Sequence, residues 1–243
     1  MEGPSLVILR EELKSHKTKT VVEASGLAKI NFQRLHLQKI QAFKSWGKHF
    51  LIVFKSFGIR IHFLMFGSYR INETKERNPS LHLKLDDGTE LNFYTCSVKE
   101  FEGKPEEHYD WSTDVMSKHW NHAKARRKLR KMPTHNVGDA LLNQYVFSGV
   151  GNIIKNEVLF RIRVHPESTI GSLPPRKLTE LVTEARNYSF DFYRWKKVYQ
   201  LKKHWLIHTK RKCPRCNLPA IKKHTGVTKR RSFYCENCQL LYG

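Results

Sequence analysis

The chain has 243 residues, of which 40% are hydrophobic, and it carries 44 Lys and Arg against 22 Asp and Glu, a formal net charge of +22. So much positive charge repels itself unless a polyanion binds, which favours nucleic acid as the partner. No run of 18 apolar residues occurs, so we expect no segment that spans a membrane. The length is sufficient for two cores and one small module.

The chain begins with a predicted helix. Pro4 suits a first helical turn, and Leu6, Leu9 and Leu13 recur at the spacing of one apolar helix face.

Short β-rich runs follow this helix. Asp87-Gly88 separates the last two of them and is typical of a hairpin turn. Closely spaced short strands predict a β-sandwich or a barrel. The predicted strands are Phe50–Phe54, Ile59–Phe63, Leu81–Leu85 and Leu91–Tyr94.

The second half of the chain is predicted to be helical. The polar segment Glu102–Asp110, with Gly103 and Pro105, has the composition of a linker. The predicted helices beyond it are Val115–Lys131, Asp139–Phe147, Asn152–Phe160 and Pro175–Lys203.

Basic residues are concentrated in this second half. Seven Lys or Arg and no acid lie from Lys118 to Gly138, and fourteen and none lie from Arg194 to Arg231. Solvated helix faces normally mix both signs of charge, so these stretches predict the nucleic-acid face.

A two-glycine turn separates two of the predicted helices. Gly149 and Gly151 free the backbone to point N–H groups outward, and Asn152 is positioned as the cap of the next helix. The positive end of that helix predicts an anion site that suits phosphate. A glycine turn between helices is common and, taken alone, carries modest weight.

Four cysteines close the chain: Cys213, Cys216, Cys235 and Cys238. Two Cys-x-x-Cys pairs with 18 residues between them predict a structural zinc ribbon built on a hairpin. Disulfides or a redox pair are the alternatives, but disulfide scaffolds are typical of short secreted chains, and no apolar signal peptide opens this one.

Cys96 lies in an apolar stretch and is interpreted as a buried small residue. Five cations line the predicted hairpin around a His224-Thr225-Gly226 turn: Lys222, Lys223, Lys229, Arg230 and Arg231.

Together these motifs resemble the formamidopyrimidine-DNA glycosylase and endonuclease VIII family. The resemblance is carried in order by Glu2-Gly3-Pro4, by Gly149–Ile153 and by the ribbon with Arg230–Cys235. It implies an α+β protein with an N-terminal β-sandwich (1–107), a helix–two-turn–helix domain (108–207) and a zinc ribbon (208–243). It also implies the excision of oxidised bases from damaged double-stranded DNA, with cutting of the strand at the abasic site.

The resemblance implies a catalytic centre at the amino terminus. Glu2 matches the family's catalytic glutamate, a general acid and base. An α-amine, with a reference pKa of about 7.7–8.0, is the family's nucleophile for a Schiff base at C1′. The family presents a proline before this glutamate, where this chain has Met1, and it presents a further glutamate where this chain has Ser5. We expect the α-amine of Met1 to serve as the nucleophile in place of the proline amine. A glutamate at a helix start also favours the helix dipole without any catalytic role.

Lys48 matches the lysine that grips a phosphate beside the lesion, although a lysine at a strand start is otherwise ordinary. Arg230 matches the ribbon arginine that clamps phosphates of the flipped nucleotide, and Arg231 is the competing choice. The segment His62–Gly67 resembles the loop that fills the hole left by a flipped base, with Leu64, Met65 and Phe66 as wedges.

Substrate preference is inferred from two features of the purine-reading members that this chain lacks. Members that read oxidised purines carry Arg-Arg-Phe-Gly after the strand that we expect to end at Tyr94, where this chain has Ser97–Glu100. The segment Tyr193–Lys212 has no glycine for a mobile lid. Both features favour the endonuclease VIII branch. The expected substrates are therefore oxidised pyrimidines such as thymine glycol and 5-hydroxyuracil, together with ring-opened purines.

Two functional hypotheses follow. One is a glycosylase with abasic-site lyase activity; the other is a non-catalytic, lesion-sensing or structure-sensing relative in which loss of the proline has disabled the amine. We expect a monomer, because a lesion is asymmetric, and a cytoplasmic, nucleoid-associated protein of a bacterium.

Overall fold

The computed structural model describes every residue from Met1 to Gly243. The chain forms two compact units: the first comprises Met1 and residues 5–110, and the second comprises residues 2–4 and 111–243. The three-domain division at 107 and 207 stays a prediction.

The first unit contains α1 and six strands. Helix α1 runs from Gly3 to Glu12, and its residues from Ser5 onward belong to this unit. Leu6, Leu9 and Leu13 are fully buried in its core, as their spacing predicts. The strands are β1 (Val21–Ser25), β2 (Ala42–Trp46), β3 (His49–Val53), β4 (Phe57–Ile71), β5 (Leu81–Leu85) and β6 (Glu90–Glu102).

The six strands form one antiparallel sheet in the order β1-β5-β6-β4-β3-β2. It folds into a sandwich because β4 and β6 serve both layers. Residues 58–62 of β4 pair with β3, and the register between β4 and β6 shifts between Phe63 and Ser68. The rings of Phe50 in β3 and Phe93 in β6 meet with centroids 6.1 Å apart, which joins the two layers.

One strand prediction was wrong. The strand expected to end at Tyr94 continues to Glu102, and Ser97–Glu100 pair with residues 59–62 of β4. The left-handed φ of 50° at Thr95 lets the strand bend at the register shift, so pairing with β4 resumes beyond it. Asp87-Gly88 forms the predicted hairpin turn, with Gly88 at a φ of 83°.

The second unit contains four helices around an apolar core and a two-stranded hairpin. The helices are α3 (His122–Arg130), α4 (Val137–Leu142), α5 (Asn152–Arg161) and α6 (Pro175–Lys197), and the strands are β7 (Ile221–Thr225) and β8 (Arg230–Tyr234). A short helix α2 (Pro105–His108) lies in the first unit, where the sequence predicts a linker.

Helix α3 begins seven residues later than predicted, at His122 rather than Val115. The side chain of Asp114 accepts the backbone N–H of Met116 at 2.9 Å, and that of Asn121 accepts the N–H of Lys124 at 2.8 Å. Such local bonds compete with helix formation, and Asn121 caps the helix start instead.

Helix α5 is the centre of the second unit. Its residues from Ile154 to Phe160 are all buried, and the polar ones among them find partners within the unit. Glu157, fully buried, accepts the backbone N–H groups of Leu206, Ile207 and His208 at 2.7–2.9 Å. This carboxylate fixes the segment that leads into the cysteine ribbon. No helix in the protein combines the length and the apolar character that crossing a membrane requires.

Candidate catalytic and nucleic-acid site

Glu2 caps helix α5 from a distant part of the chain. Its Oε1 atom accepts the N–H of Ile153 at 2.7 Å, and its Oε2 atom accepts the N–H of Ile154 at 3.3 Å. The N–H of Gly3 donates to the carbonyl oxygen of Gly149 at 2.9 Å. Glu2 is 9% exposed, so a nearly buried carboxylate meets the positive end of a buried helix.

The glycine turn makes room for this carboxylate. A Cβ atom on Gly151 would lie 2.4 Å from Cδ, 2.5 Å from Cγ and 2.6 Å from Oε1 of Glu2. Only a residue without a side chain therefore allows the glutamate to reach the helix end. Gly149 has a φ of 100°, which turns the chain before the helix.

Two details of the sequence interpretation were wrong here. The cap residue of α5 is Gly151, not Asn152, and the Asn152 side chain donates from Nδ2 to the carbonyl oxygen of Arg231 at 2.9 Å. The helix N–H groups expected to bind phosphate are bonded to Glu2, because a carboxylate from the same chain satisfies the orphan donors first. DNA contact by Asn152 stays a prediction.

In the first unit, Lys48 lies in the two-residue turn between β2 and β3 and is half-buried. Burial lowers the pKa of His62, and the charges of Lys48, the N-terminal amine and Arg60 lower it further. The amine of Met1 and the ammonium of Lys48 are thus both close enough to His62 to act on its charge, while Met1 also packs against the core of this unit.

The sequence analysis placed His62 in a predicted strand and at the start of the segment His62–Gly67, and it gave the side chain no role of its own. It lies opposite His49 in the β3–β4 register, and the two rings meet edge to face at 5.3 Å. Burial lowers the pKa of His49 to about 4, with Arg60 and His62 adding to the effect. A signal was available: His62 alternates with the buried Ile61 and Phe63, so it faces away from the core.

Leu64, Met65 and Phe66 lie in β4 where its pairing with β6 is interrupted. Their exposed fractions are 49%, 77% and 76%. Three consecutive exposed apolar side chains are unusual on a protein surface, and their exposure excludes the alternative that they are core residues. Their role as wedges stays a prediction.

The ribbon arginines begin strand β8. Arg230 and Arg231 are both exposed and pair in register with Thr225 and His224 of β7. The hairpin turn is formed by residues 226–229, whereas the sequence predicts it at His224–Gly226; His224 and Thr225 belong to β7 instead. Asp139 of α4 accepts the N–H of Val227 at 2.8 Å and also bonds to Thr228, which ties this turn to the helices.

A buried lysine beneath these arginines was missed by the sequence analysis. Lys155 of α5 is 1% exposed, and its Nζ atom donates to Ser232 Oγ at 2.8 Å and to the carbonyl oxygen of Arg231 at 3.2 Å. No sequence signal marks this residue, since lysine is almost never buried unless paired and its partners lie in the distant hairpin.

The four cysteines converge on one point. Their sulfur atoms all lie within 4.8 Å of one another, with 3.7 Å between Cys213 and Cys238 and 3.5 Å between Cys216 and Cys235. A disulfide needs about 2.05 Å, whereas four thiolates at about 2.3 Å from a tetrahedral zinc lie about 3.8 Å apart. The cluster therefore fits a structural zinc ion. Cys96 is half-buried in the first unit, where burial raises its pKa to about 11.

Two family profiles match the chain. The N-terminal domain of formamidopyrimidine-DNA glycosylase matches residues 2–96, and the helix–two-turn–helix domain of the same family matches residues 112–188. The two matched ranges together cover most of the sandwich and most of the helical part.

Curated relatives agree with these profiles. Endonuclease 8-like 3 of Homo sapiens is 31% identical over 202 residues, which cover 79% of this chain and 33% of that protein. Endonuclease 8-like 2 of Bos taurus is 30% identical over 197 residues, covering 74% of this chain and 58% of that protein. Formamidopyrimidine-DNA glycosylase of Rhodococcus erythropolis is 26% identical and covers 98% of this chain and 96% of its own. The matched part thus spans about a third of the length of endonuclease 8-like 3. The relatives come both from animals and from a bacterium, so the expectation of a bacterial source stays a prediction.

Solved structures share the fold over the whole chain. A viral DNA glycosylase superposes with a TM-score of 0.85 at 18% identity, covering 99% of this chain and 100% of its own. Formamidopyrimidine-DNA glycosylase of Lactococcus lactis, in complex with DNA containing an oxidised pyrimidine, also gives 0.85, at 21% identity with 98% and 99% covered. With both domain profiles, these relatives and this fold in agreement, the chain belongs to the formamidopyrimidine-DNA glycosylase and endonuclease VIII family.

Proposed function

We propose that this protein is a base-excision DNA glycosylase with abasic-site lyase activity that removes oxidised bases from double-stranded DNA. The observation that carries the proposal is the Glu2 carboxylate, 9% exposed and hydrogen-bonded to the start of α5. Capping α5 is one role for this carboxylate. In a protein that only binds DNA, an uncharged cap would serve as well, because a negative charge repels phosphates. A glycosylase needs a carboxylate as a general acid and base.

The proposed reaction gives one role to the α-amine of Met1 and another to the carboxylate of Glu2. The α-amine of Met1 attacks C1′, and the electrons of the glycosidic bond leave with the base. Glu2, the next residue in the chain, gives a proton to the ring oxygen and so opens the sugar. Before this step the attached amine gives up a proton, and its lone pair forms the C1′=N bond of the Schiff base as the C1′–O4′ bond breaks. Loss of a C2′ proton expels the 3′ phosphate, and loss of a C4′ proton expels the 5′ phosphate, which leaves a gap in the strand.

Cations assist both eliminations. Lys48, whose charge acts on the same histidine as the terminal amine, is proposed to bind a phosphate beside the lesion. Arg230 and Arg231, exposed at the start of β8, are proposed to bind the phosphates of the flipped nucleotide, with Arg230 as the catalytic one. Asn152 is proposed to contact the same strand. Each of these groups stabilises negative charge on a leaving phosphate.

Base flipping needs a filler for the vacated stack. Leu64, Met65 and Phe66 are exposed and consecutive, and we propose that they enter the duplex where the base leaves. The unstacking energy that they offset is a few kcal/mol per step, or about the stacking of one base pair.

Oxidised pyrimidines are the proposed substrates. Ser97–Glu100 continue strand β6 and pair with β4, so this segment offers no loop to carry purine-reading wedge residues. Residues Tyr193–Lys212 contain no glycine and begin in helix α6, which leaves little freedom for a lid.

We also propose that the four thiolates bind one structural Zn²⁺ and that the protein acts as a monomer.

Borohydride trapping tests this function. The protein is incubated with duplexes that carry thymine glycol or an abasic site, and borohydride reduces any Schiff base to a stable adduct. We expect an adduct of chain plus DNA with both duplexes, and intact mass and peptide mapping identify the residue that bears it. Acetylation of the α-amine should abolish the adduct.

Tight binding without an adduct or a strand cut would instead support a lesion sensor that has lost its nucleophile.

Salt dependence offers a separate check on the cationic face. If six phosphates are neutralised, affinity falls about a thousandfold between 50 and 200 mM salt.

A further inference from the structure

The start of strand β8 is held from below by two side chains of helix α5. Asn152 and Lys155 both donate to the carbonyl oxygen of Arg231, at 2.9 and 3.2 Å. Lys155 also donates to Ser232 Oγ at 2.8 Å, and this hydroxyl lies 2.6 Å from Thr225 Oγ1 on the paired strand. The ammonium group of Lys155 thus bonds to β8 directly, and the Ser232 hydroxyl connects that contact to β7.

Burying this ammonium group opposes folding. Lys155 is 1% exposed, and burial lowers its pKa to about 8; Arg230 lowers it further, while Asp139 and Glu2 act in the opposite direction. A methionine has similar length and would fill the space without this desolvation. The presence of an ammonium group is therefore explained by what it binds rather than by the volume it fills.

The hairpin depends on such external links. Strands β7 and β8 have five residues each, and a two-stranded hairpin of this size is marginal by itself. Its turn is bonded to Asp139, and the start of β8 is bonded to Asn152 and Lys155. Arg230 lies between the turn and the anchored carbonyl group of Arg231, and both arginines are exposed to solvent.

We propose that Lys155 is a positioning residue that fixes the backbone of Arg231 and Ser232 so that Arg230 and Arg231 present their guanidinium groups to DNA phosphate. The inference rests on the proposed DNA binding. Lys155 itself, buried under the strand, does not touch the nucleic acid.

The first test compares Lys155→Met with wild type in binding an abasic-site duplex over a range of salt concentrations. We expect Kd to rise about tenfold at 100 mM salt, and the slope of log K against log salt to decrease in magnitude by about one, as for the loss of one phosphate contact. Val158→Ala in the same helix is the matched control, because Val158 is fully buried in the apolar core and makes no contact of this kind. It should lose stability but keep Kd and salt slope.

A double-mutant cycle separates positioning from direct contact. In an Arg230→Gln/Arg231→Gln background, Lys155→Met should change Kd less than twofold, because the groups through which it acts are gone. Equal effects in the two backgrounds would overturn the proposal, as would a folded Lys155→Met protein with wild-type Kd and salt slope. If Lys155→Met does not fold, Ser232→Ala removes one of the two acceptors and should shift Kd in the same direction by a smaller factor.

A measurement without DNA keeps this inference distinct from the proposed function. Hydrogen exchange of the amides in 225–234 should accelerate at least tenfold in Lys155→Met and stay unchanged in Val158→Ala. If wild type fails to bind DNA but this exchange pattern is found, the proposed function fails while the anchoring holds. If wild type binds DNA and the exchange of 225–234 is the same in all three proteins, the anchoring is refuted.

Discussion

The Oε1 atom of Glu2 accepts a 2.7 Å hydrogen bond from the N–H of Ile153, a residue 151 positions further along the chain. A helix start carries partial positive charge, so this bond both satisfies a buried donor and keeps the carboxylate in one orientation. Fixed orientation is what a general acid needs, because proton transfer requires a heavy-atom separation of about 2.6–3.2 Å.

Replacing Glu2 with Gln tests its chemical role. The amide oxygen can still accept the 2.7 Å bond from the N–H of Ile153, and only the longer 3.3 Å bond from Ile154 is lost, so the protein should still fold. The group can no longer exchange a proton. We expect excision of thymine glycol under single-turnover conditions to fall by about 10² to 10⁴, while the affinity for an abasic duplex changes less than threefold. Glu76→Gln, at an exposed position, is the control. Wild-type excision by Glu2→Gln would remove Glu2 from the mechanism.

Gly151→Ala tests the fit between the turn and the carboxylate. The new Cβ would lie within 2.6 Å of three atoms of Glu2, whereas the φ of −119° is accessible to alanine, so the clash and not the backbone opposes the change. We expect a loss of about 1–3 kcal/mol in the free energy of unfolding, measured in urea, together with loss of excision.

The same substitution in a Glu2→Ala background supplies the control. With the glutamate side chain gone, the added methyl group has space, and the further loss of stability should be below about 1 kcal/mol. Equal losses in the two backgrounds would show that Gly151 is needed for some other reason.

Zinc content tests the cysteine cluster. We expect one zinc per chain, and Cys235→Ser should lower the metal content and release the β7–β8 hairpin, because four thiolates are replaced by three. The affinity for DNA should fall more than tenfold as Arg230 and Arg231 lose their support. Cys96→Ser is the matched control, since Cys96 lies in the other unit. A metal-free wild-type protein with full DNA affinity would contradict this prediction.

Local sequence signals predicted part of this structure well. The spacing of Leu6, Leu9 and Leu13, the Asp87-Gly88 turn and the cysteine pairs each report on a few neighbouring residues, and the structure agrees with them. The course of β6 was not predictable in this way, since its continuation past Tyr94 depends on a register shift in a different strand. The partners of the α5 amides and of Lys155 lie more than 70 positions away, which no periodicity reveals.

His49 makes the stability of the first unit depend on pH. Its folded pKa of about 4 lies below the ordinary value of 6.5, so the unfolded chain binds more protons between these values. The free energy of unfolding should therefore fall as pH drops from 6.5 to 4, by up to about 3 kcal/mol from this group. His49→Phe keeps an aromatic ring beside Trp46 and Tyr109 and cannot titrate.

Urea titrations at pH 7 and pH 4.5 provide the measurement. The difference in free energy between the two pH values should be smaller in His49→Phe than in wild type. An unchanged difference would show that other groups carry the acid sensitivity.

Residues 2–4 belong to the second unit, although more than a hundred residues of the first unit separate them from the rest of it. During synthesis on the ribosome, Glu2 emerges long before the helix that it caps has been made. The second unit can reach its final form only after the growing chain brings Glu2 back to Ile153 and Ile154. A recombinant fragment that starts at Trp111 would therefore expose these two amide groups, and it should unfold more readily than the same residues do within the entire chain.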